Sequence, residues 1–260
     1  MISRKEQHGD CIFVTVSDIG VNHQRLDISN QDAVDFAVHG DDFALAVSDG
    51  VGSCSKAVLG SNAAVSAVLH VFNDIKSVEK ANPVSIAENI VAKWKKLLAN
   101  ENLDDCCATL KSVMKLGHKL LLFSIGDGFL AVVSHGMQKS APTDNRLFSN
   151  QTMCLNSKCS PEDIWLSEFR LDTYVPFVAF ICSDGVANGI QEGREMQLVS
   201  AIEADISSDE LQHELESLLV DIADYSSDDR TVGVVKYERK NAKSGRRSNY
   251  NCRWEQIYIR

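Results

Sequence analysis

The sequence predicts an α+β protein made of mostly antiparallel sheets with helices on their outer faces. Three observations carry this. Short apolar runs come in clusters, and the clusters are separated by pairs of longer amphipathic stripes. That order lacks the regular strand–helix–strand alternation that builds a parallel sheet. Three of the apolar runs also end on the same pair, Asp-Gly, so they read as strands delivered to loops at one level.

The elements follow in chain order. Strands are expected at residues 11–16, 33–38, 43–47, 120–125, 129–133, 177–182 and 231–235, each a short apolar run. Val65, Val68, Leu69 and Phe72 recur at helical spacing and predict a helix over roughly 56–74. Ile86, Ile90, Trp94, Leu97 and Leu98 predict a second, with Pro83 and Ser85 near its start. Leu198, Ile202 and Ile206 form a weaker stripe. Leu211, Leu215, Leu218, Leu219 and Ile222 form the clearest one, with Ser208 and Asp209 as its expected N-terminal cap. The stretch 136–176 shows no strong period and reads as a loop-rich segment.

Composition bounds the function. The 260 residues are 44% hydrophobic and 24% charged, with a formal net charge of -10. A chain of this size can bury a core without staples. The charge is uneven: residues 1–235 carry 18 basic and 34 acidic side chains, whereas residues 236–260 carry 8 and 2. An acidic body disfavours nucleic acid and anionic membranes as partners. No apolar run approaches the ~20 residues that span a bilayer. Residues 1–10 are polar, without the apolar stretch of a signal peptide, so a cytoplasmic protein is expected. The eight cysteines include no C-x-x-C pair and read as reduced thiols used as small hydrophobes. A P-loop, a Gly-x-Gly-x-x-Gly loop, a Cys-x5-Arg segment and an Asp-x-Asp-x-Thr motif are all missing from the sequence.

The acidic strand tips are the chemical feature. Asp49, Asp127 and Asp184 each precede a glycine, Asp228 and Asp229 lie just before the strand at 231–235, and Asp32 lies just before that at 33–38. A single Asp-Gly is an ordinary turn. Five acidic tips on one core, if they converge, repel one another unless a cation sits among them. Oxygen-only ligands select hard divalent ions, Mg²⁺ or Mn²⁺. Two such ions ~3.5–4 Å apart can activate a water for phosphate ester hydrolysis.

The segments Asn30-Gln31-Asp32-Ala33, Ser48-Asp49-Gly50-Val51-Gly52-Ser53, Cys107-Ala108-Thr109-Leu110, Ile125-Gly126-Asp127-Gly128, Cys182-Ser183-Asp184-Gly185-Val186 and Asp228-Asp229-Arg230-Thr231-Val232 occur in that order. Their order and spacing resemble the metal-dependent Ser/Thr protein phosphatases, the PPM or type 2C family, in its compact bacterial branch. The resemblance covers about residues 8–237. It implies a four-layer α/β/β/α sandwich, a phosphatase domain at 1–237 with a flap at about 136–176, and a basic tail at 238–260.

The resemblance also implies a two-ion Mn²⁺ or Mg²⁺ centre, with a third, weaker site in many members. By motif, Asp49 bridges both ions, Gly50 offers its carbonyl, and Asp184 with the Asp228-Asp229 pair holds the second. Asp228 is the expected ligand of that pair, and Asp229 stands where the family has Asn. Asp32 holds metal-bound water, and Asp127 with Asp184 forms the third site. Thr109 packs beneath the site. The implied substrate is a phosphorylated protein, in opposition to a Ser/Thr kinase, and the expected state is a monomer.

Three departures stand out. Asp27 occupies the position of a phosphate-binding Arg, and Arg25 is the nearest substitute. Val51 replaces a candidate acid His, and His23 is the candidate phosphate contact or acid. Gln31 replaces a Glu, leaving one carboxylate fewer. Two alternatives remain open: an inactive phosphatase-like binding module, and a hydrolase of small phosphomonoesters. Arg146 is a further candidate contact in the flap. The tail, with Arg239-Lys240 and Arg246-Arg247, reads as a basic linker ending in a short docking strand that folds back on the body.

Overall fold

The computed structural model describes residues 1–75, 81–142, 153–171, 175–238 and 259. Among the described residues, eleven strands form two sheets. The first contains β1 (Ile2–His8), β2 (Cys11–Asp18), β7 (Phe129–Ser134), β8 (Met137–Ser140), β10 (Phe177–Cys182) and β11 (Arg230–Tyr237), in the order β1-β2-β11-β10-β7-β8. The second contains β3 (Asp32–His39), β4 (Asp42–Asp49), β5 (Leu110–Leu116), β6 (Lys119–Ile125) and β9 (Trp165–Arg170), in the order β3-β4-β5-β6-β9. Every pairing is antiparallel.

Helices cover both outer faces. The pair α2 (Ala57–Asp74) and α3 (Pro83–Leu97) packs on the second sheet through Val68, Phe72, Ile90 and Trp94. The pair α5 (Glu195–Ala204) and α6 (Leu211–Asp221) packs on the first through Leu198, Ile202, Leu215 and Leu219. Between the sheets lies a third core that includes Phe13, Phe43, Leu45, Leu122, Phe177 and Ile181. Alternation along each strand feeds one core or the other: Ala44 and Ala46 face α2, while Phe43, Leu45 and Val47 face the opposite sheet. The result is the four-layer α/β/β/α sandwich. No helix among the described residues is long and apolar enough to cross a membrane.

The structure corrects several expectations. The cap of α6 is Glu210, without a side-chain bond to the helix; Ser208 instead bonds Glu238. At α3, Asn82 is the cap and accepts from the Val84 N–H, with Pro83 in the first turn. The stretch 136–176 is not all loop. It holds β8 and β9, the edge strands of opposite sheets, with a 3-10 turn at Pro161–Asp163 between them. Arg146 lies outside the described residues.

Most of the basic tail also lies outside them. Glu238 and Ile259 are its described residues, and Ile259 is buried in the core under α5 and α6 and bridges Ile190. Lys236, near the end of β11, is buried, donates to the Ile202, Glu203 and Ile206 carbonyls and so caps the end of α5.

Candidate metal centre

The acidic tips converge at one edge of the sandwich. Asp32 opens β3 and Asp49 ends β4, and the register sets them directly opposite each other. Like charges in that position repel. Asp184 begins the short helix α4 (Asp184–Ala187) directly after β10, and Asp228 lies two residues before β11. Beneath Asp49, Thr109 accepts the Asp49 N–H through Oγ1 (3.0 Å), and its own N–H donates to the Asp49 carbonyl (2.8 Å).

These carboxylates act on one another. Burial, then the charges of Asp32, Asp184 and Asp228, pushes Asp49 up to about 10. Burial is also the largest cause for Asp32, pushed up to about 7 against the Ser183 and Thr231 hydroxyls, with Asp229 and Asp184 adding to the rise. Asp184 is pushed up to about 6, by burial and then by Asp228 and Asp127. One buried carboxylate oxygen of Asp32 and one of Asp184 have no hydrogen-bond partner. Protein donors do not satisfy this cluster, and its donors are all oxygen. A hard divalent cation fits it.

Glycines let these loops close. A Cβ on Gly185 would lie 1.9 Å from the Asp229 carbonyl oxygen, so only glycine lets the Asp184 and Asp228 loops meet. Gly128 sits at φ +95 after Asp127, in left-handed territory that glycine occupies freely. The Asp127 loop is held from below by buried Lys111, whose Nζ donates to Ser124 Oγ (2.8 Å) and to the Gly126 carbonyl.

Asp229 is placed differently from Asp228. It is 2% exposed, and its two carboxylate oxygens accept from the Gly20 N–H (2.7 Å), the Gln31 N–H (2.6 Å) and His23 Nδ1 (2.8 Å). Both oxygens are therefore committed to folding residues 20–31 against the site. One ligand atom each of His23, Asp228 and Asp229 nonetheless lies within 4.8 Å of the others, so this brace touches the cluster. Arg230 pins the same region from inside: it is buried and donates to Asp18 Oδ2 (2.6 Å) and to the Ser226 carbonyl (3.2 Å).

The segment before Asp32, which carries no apolar stripe, forms the short helix α1 (Val21–Leu26). His23 projects from α1 onto Asp229, and Arg25 is exposed on the same helix. Asp27 is the left-handed C-cap of α1, at φ 54. The position expected for a phosphate-binding Arg thus serves here to end a helix. Gly50 is buried; its N–H donates to the Gln31 carbonyl (3.2 Å), and it bridges Ala108.

Sequence reasoning missed Lys111, Arg230 with Asp18, and the Asp229–His23 pair. The strands of Lys111 and Arg230 each carry a second cation, Lys115 in β5 and Lys236 in β11, so neither Lys111 nor Arg230 stands out in the sequence.

Comparisons with known proteins agree on a family. The Protein phosphatase 2C family model matches residues 19–220. The fold superposes on a serine/threonine phosphatase of S. agalactiae, with 15% identity, 88% of this chain and 100% of that chain covered, and a TM-score of 0.69. It also superposes on the catalytic domain of the serine/threonine protein phosphatase PstP in complex with two manganese ions (18% identity, 88% and 99% covered, TM-score 0.63). RsbX in complex with magnesium is a third (15% identity, 91% and 100% covered, TM-score 0.64). No curated protein sequence matches the chain significantly.

Proposed function

The chain belongs to the protein phosphatase 2C family, and from that premise we propose that it hydrolyses phosphoserine and phosphothreonine in protein substrates at a two-ion centre on the Asp32–Asp49 edge of the sandwich. The observation that supports this reading is that Asp32 and Asp49 face each other at that edge, with one buried oxygen of Asp32 and one of Asp184 left without a hydrogen-bond partner. Asp32, Asp49, Asp184, Asp228 and the Gly50 carbonyl are the proposed ligand set, with Asp127 and Asp184 serving a third, weaker site. When bound, Mn²⁺ or Mg²⁺ supplies Lewis-acid charge for the phosphoryl oxygens and an acidified water for in-line attack. Asp229 is better read as a brace than as a ligand, because its oxygens are already committed.

The brace gives His23 a defined role. A carboxylate only accepts, so the Nδ1 that meets Asp229 carries a proton. His23 Nε2 is then the nitrogen left to contact the phosphate or to give a proton to the leaving Ser/Thr oxygen. Arg25, exposed on the same helix, is the proposed phosphate contact in place of the Arg that Asp27 displaces. The phosphoprotein partner, an opposing Ser/Thr kinase, a monomeric state and a cytoplasmic location complete the proposal.

The test is hydrolysis of a phosphoserine peptide and of p-nitrophenyl phosphate with Mn²⁺. Both activities are expected, and both should vanish in Asp184→Asn. Cleavage of small esters without the peptide moves the assignment to small phosphomonoesters. His23→Ala is expected to lower kcat about 10²-fold with metal affinity unchanged; wild-type kinetics would remove His23 from the mechanism. A second reading, an inactive binding module, draws on the conversion of the Arg position into a helix cap. Metal binding without cleavage of either ester would favour it.

A further inference from the structure

Seven cysteines are described, all free, and they fall into two groups. Cys11, Cys106, Cys159 and Cys182 are buried in apolar surroundings, as expected of thiols used for packing. Cys54, Cys107 and Cys154 are only half-buried and gather in one place, from three stretches of chain. The thiols of Cys54 and Cys107 each donate to the same acceptor, the Asp104 carbonyl, at 3.3 Å. Cys54 and Cys154 are also close enough to Cys107 to raise its thiol's proton affinity, after burial.

This cluster rests on the backbone of the candidate metal centre. The Val51 N–H donates to the Cys107 carbonyl (2.9 Å), and the Cys54 N–H donates to the Val51 carbonyl (2.8 Å). Gly50 bridges Ala108, and Ala108 bridges Leu155, the neighbours of Cys107 and Cys154. Cys54 and Cys107 therefore hold the two sides of the turn that leaves Asp49 and Gly50.

We propose that Cys54 and Cys107 are a modification site at which a small-molecule disulfide, such as oxidised glutathione, closes an intramolecular disulfide that displaces the Asp49–Gly50 turn. The Cys107 thiolate attacks one sulfur of the oxidant, forming a mixed disulfide and releasing one reduced thiol. The Cys54 thiolate then attacks Cys107 Sγ, forming the Cys54–Cys107 bond and releasing the second thiol. The two cysteines lose two protons and two electrons, and the oxidant is reduced to two thiols. Closing the bond draws both sulfurs away from the Asp104 carbonyl to a separation of ~2.05 Å, which moves the turn they flank. Burial and the neighbouring thiols hold the Cys107 thiol above its usual range, so closure speeds up as pH rises.

The experiment treats the reduced full-length chain with oxidised glutathione, blocks remaining thiols by alkylation and maps linked peptides by mass spectrometry. The expected product is a Cys54–Cys107 link, absent in Cys54→Ser, retained in Cys154→Ser and reversed by dithiothreitol. Free Cys54 and Cys107 after treatment, or a link through Cys154, overturns the site. The effect on the turn rests on the reading of the acidic cluster as a metal centre, and it is measured separately by Mn²⁺ titration calorimetry. The oxidised chain is expected to bind Mn²⁺ about tenfold more weakly, the scale on which supports of metal ligands act. Unchanged binding overturns the coupling while leaving the link, and no Mn²⁺ binding by the reduced chain counts against the metal centre itself.

Discussion

Asp42 and Asp49 stand at the two ends of β4 and live in opposite circumstances. Asp42 accepts the Gly117 N–H at 2.7 Å and lies 3.7 Å from Lys115 Nζ, which also donates to the Asp41 carbonyl. Asp49 faces Asp32 across the ladder, with Asp184 and Asp228 near enough to raise its proton affinity. One end of the sandwich neutralises its acids with lysine and backbone N–H groups; at the other, Asp32, Asp49 and Asp184 raise one another's proton affinity, with no lysine or arginine bonded to them among the described residues. A cavity of about 560 Å³ lies at the neutralised end, lined by Phe13, Phe43, Phe177 and Tyr237 among others. The unbalanced charge is what distinguishes the working end.

Breaking the contrast at its strongest point has the largest expected effect. Asp49→Asn should lower phosphatase activity at least about 10²-fold while leaving the circular dichroism spectrum unchanged. Next is the brace: Asp229→Ala should weaken Mn²⁺ binding by roughly 10-fold or more, read by calorimetry, because it frees residues 20–31.

The third prediction concerns pH. Asp32, Asp49 and Asp184 hold protons more tightly folded than unfolded, so the native state carries more protons above pH 4. Stability of the metal-free protein should therefore fall as pH rises from about 4 through the folded values near 6, 7 and 10. Melting in EDTA across pH 5–9 checks the slope, and saturating Mn²⁺ should flatten it. A flat curve in EDTA would mean that the acids do not oppose one another. The smallest effect belongs to the other end: Asp42→Asn should cost about 1 kcal/mol, a drop of about 2–4 °C in Tm, with activity intact.

Legibility in the sequence followed the same division. Asp49, Asp127 and Asp184 could be read because each ends a continuous apolar strand and precedes a glycine. The edge strands β1 and β8 were invisible because an edge needs no apolar run: their faces are largely exposed. β5 was missed for another reason. Lys111 and Ser112 interrupt its apolar run, yet both are buried, and the lysine is satisfied by Ser124 and Gly126. The Asp229–His23 contact spans 206 positions in sequence, and no local pattern encodes a pairing at that range. The thiol cluster likewise joins three distant stretches, so each cysteine alone read as packing.

The facing of Asp32 and Asp49 also sets an order of events in time. β3 and β4 are joined at the tight turn around Gly40, far from the acids, so the hairpin zips from that turn and meets the repulsion last. The final rungs, Ala33 with Ser48 and Asp32 with Asp49, are the ones that a cation at the proposed centre would clasp shut. In its absence they are the first to fray, and backbone amides there should exchange with solvent faster than those of Phe36 and Leu45 in mid-ladder. An ion can then enter and leave by local opening of one hairpin end while the two cores behind it stay closed.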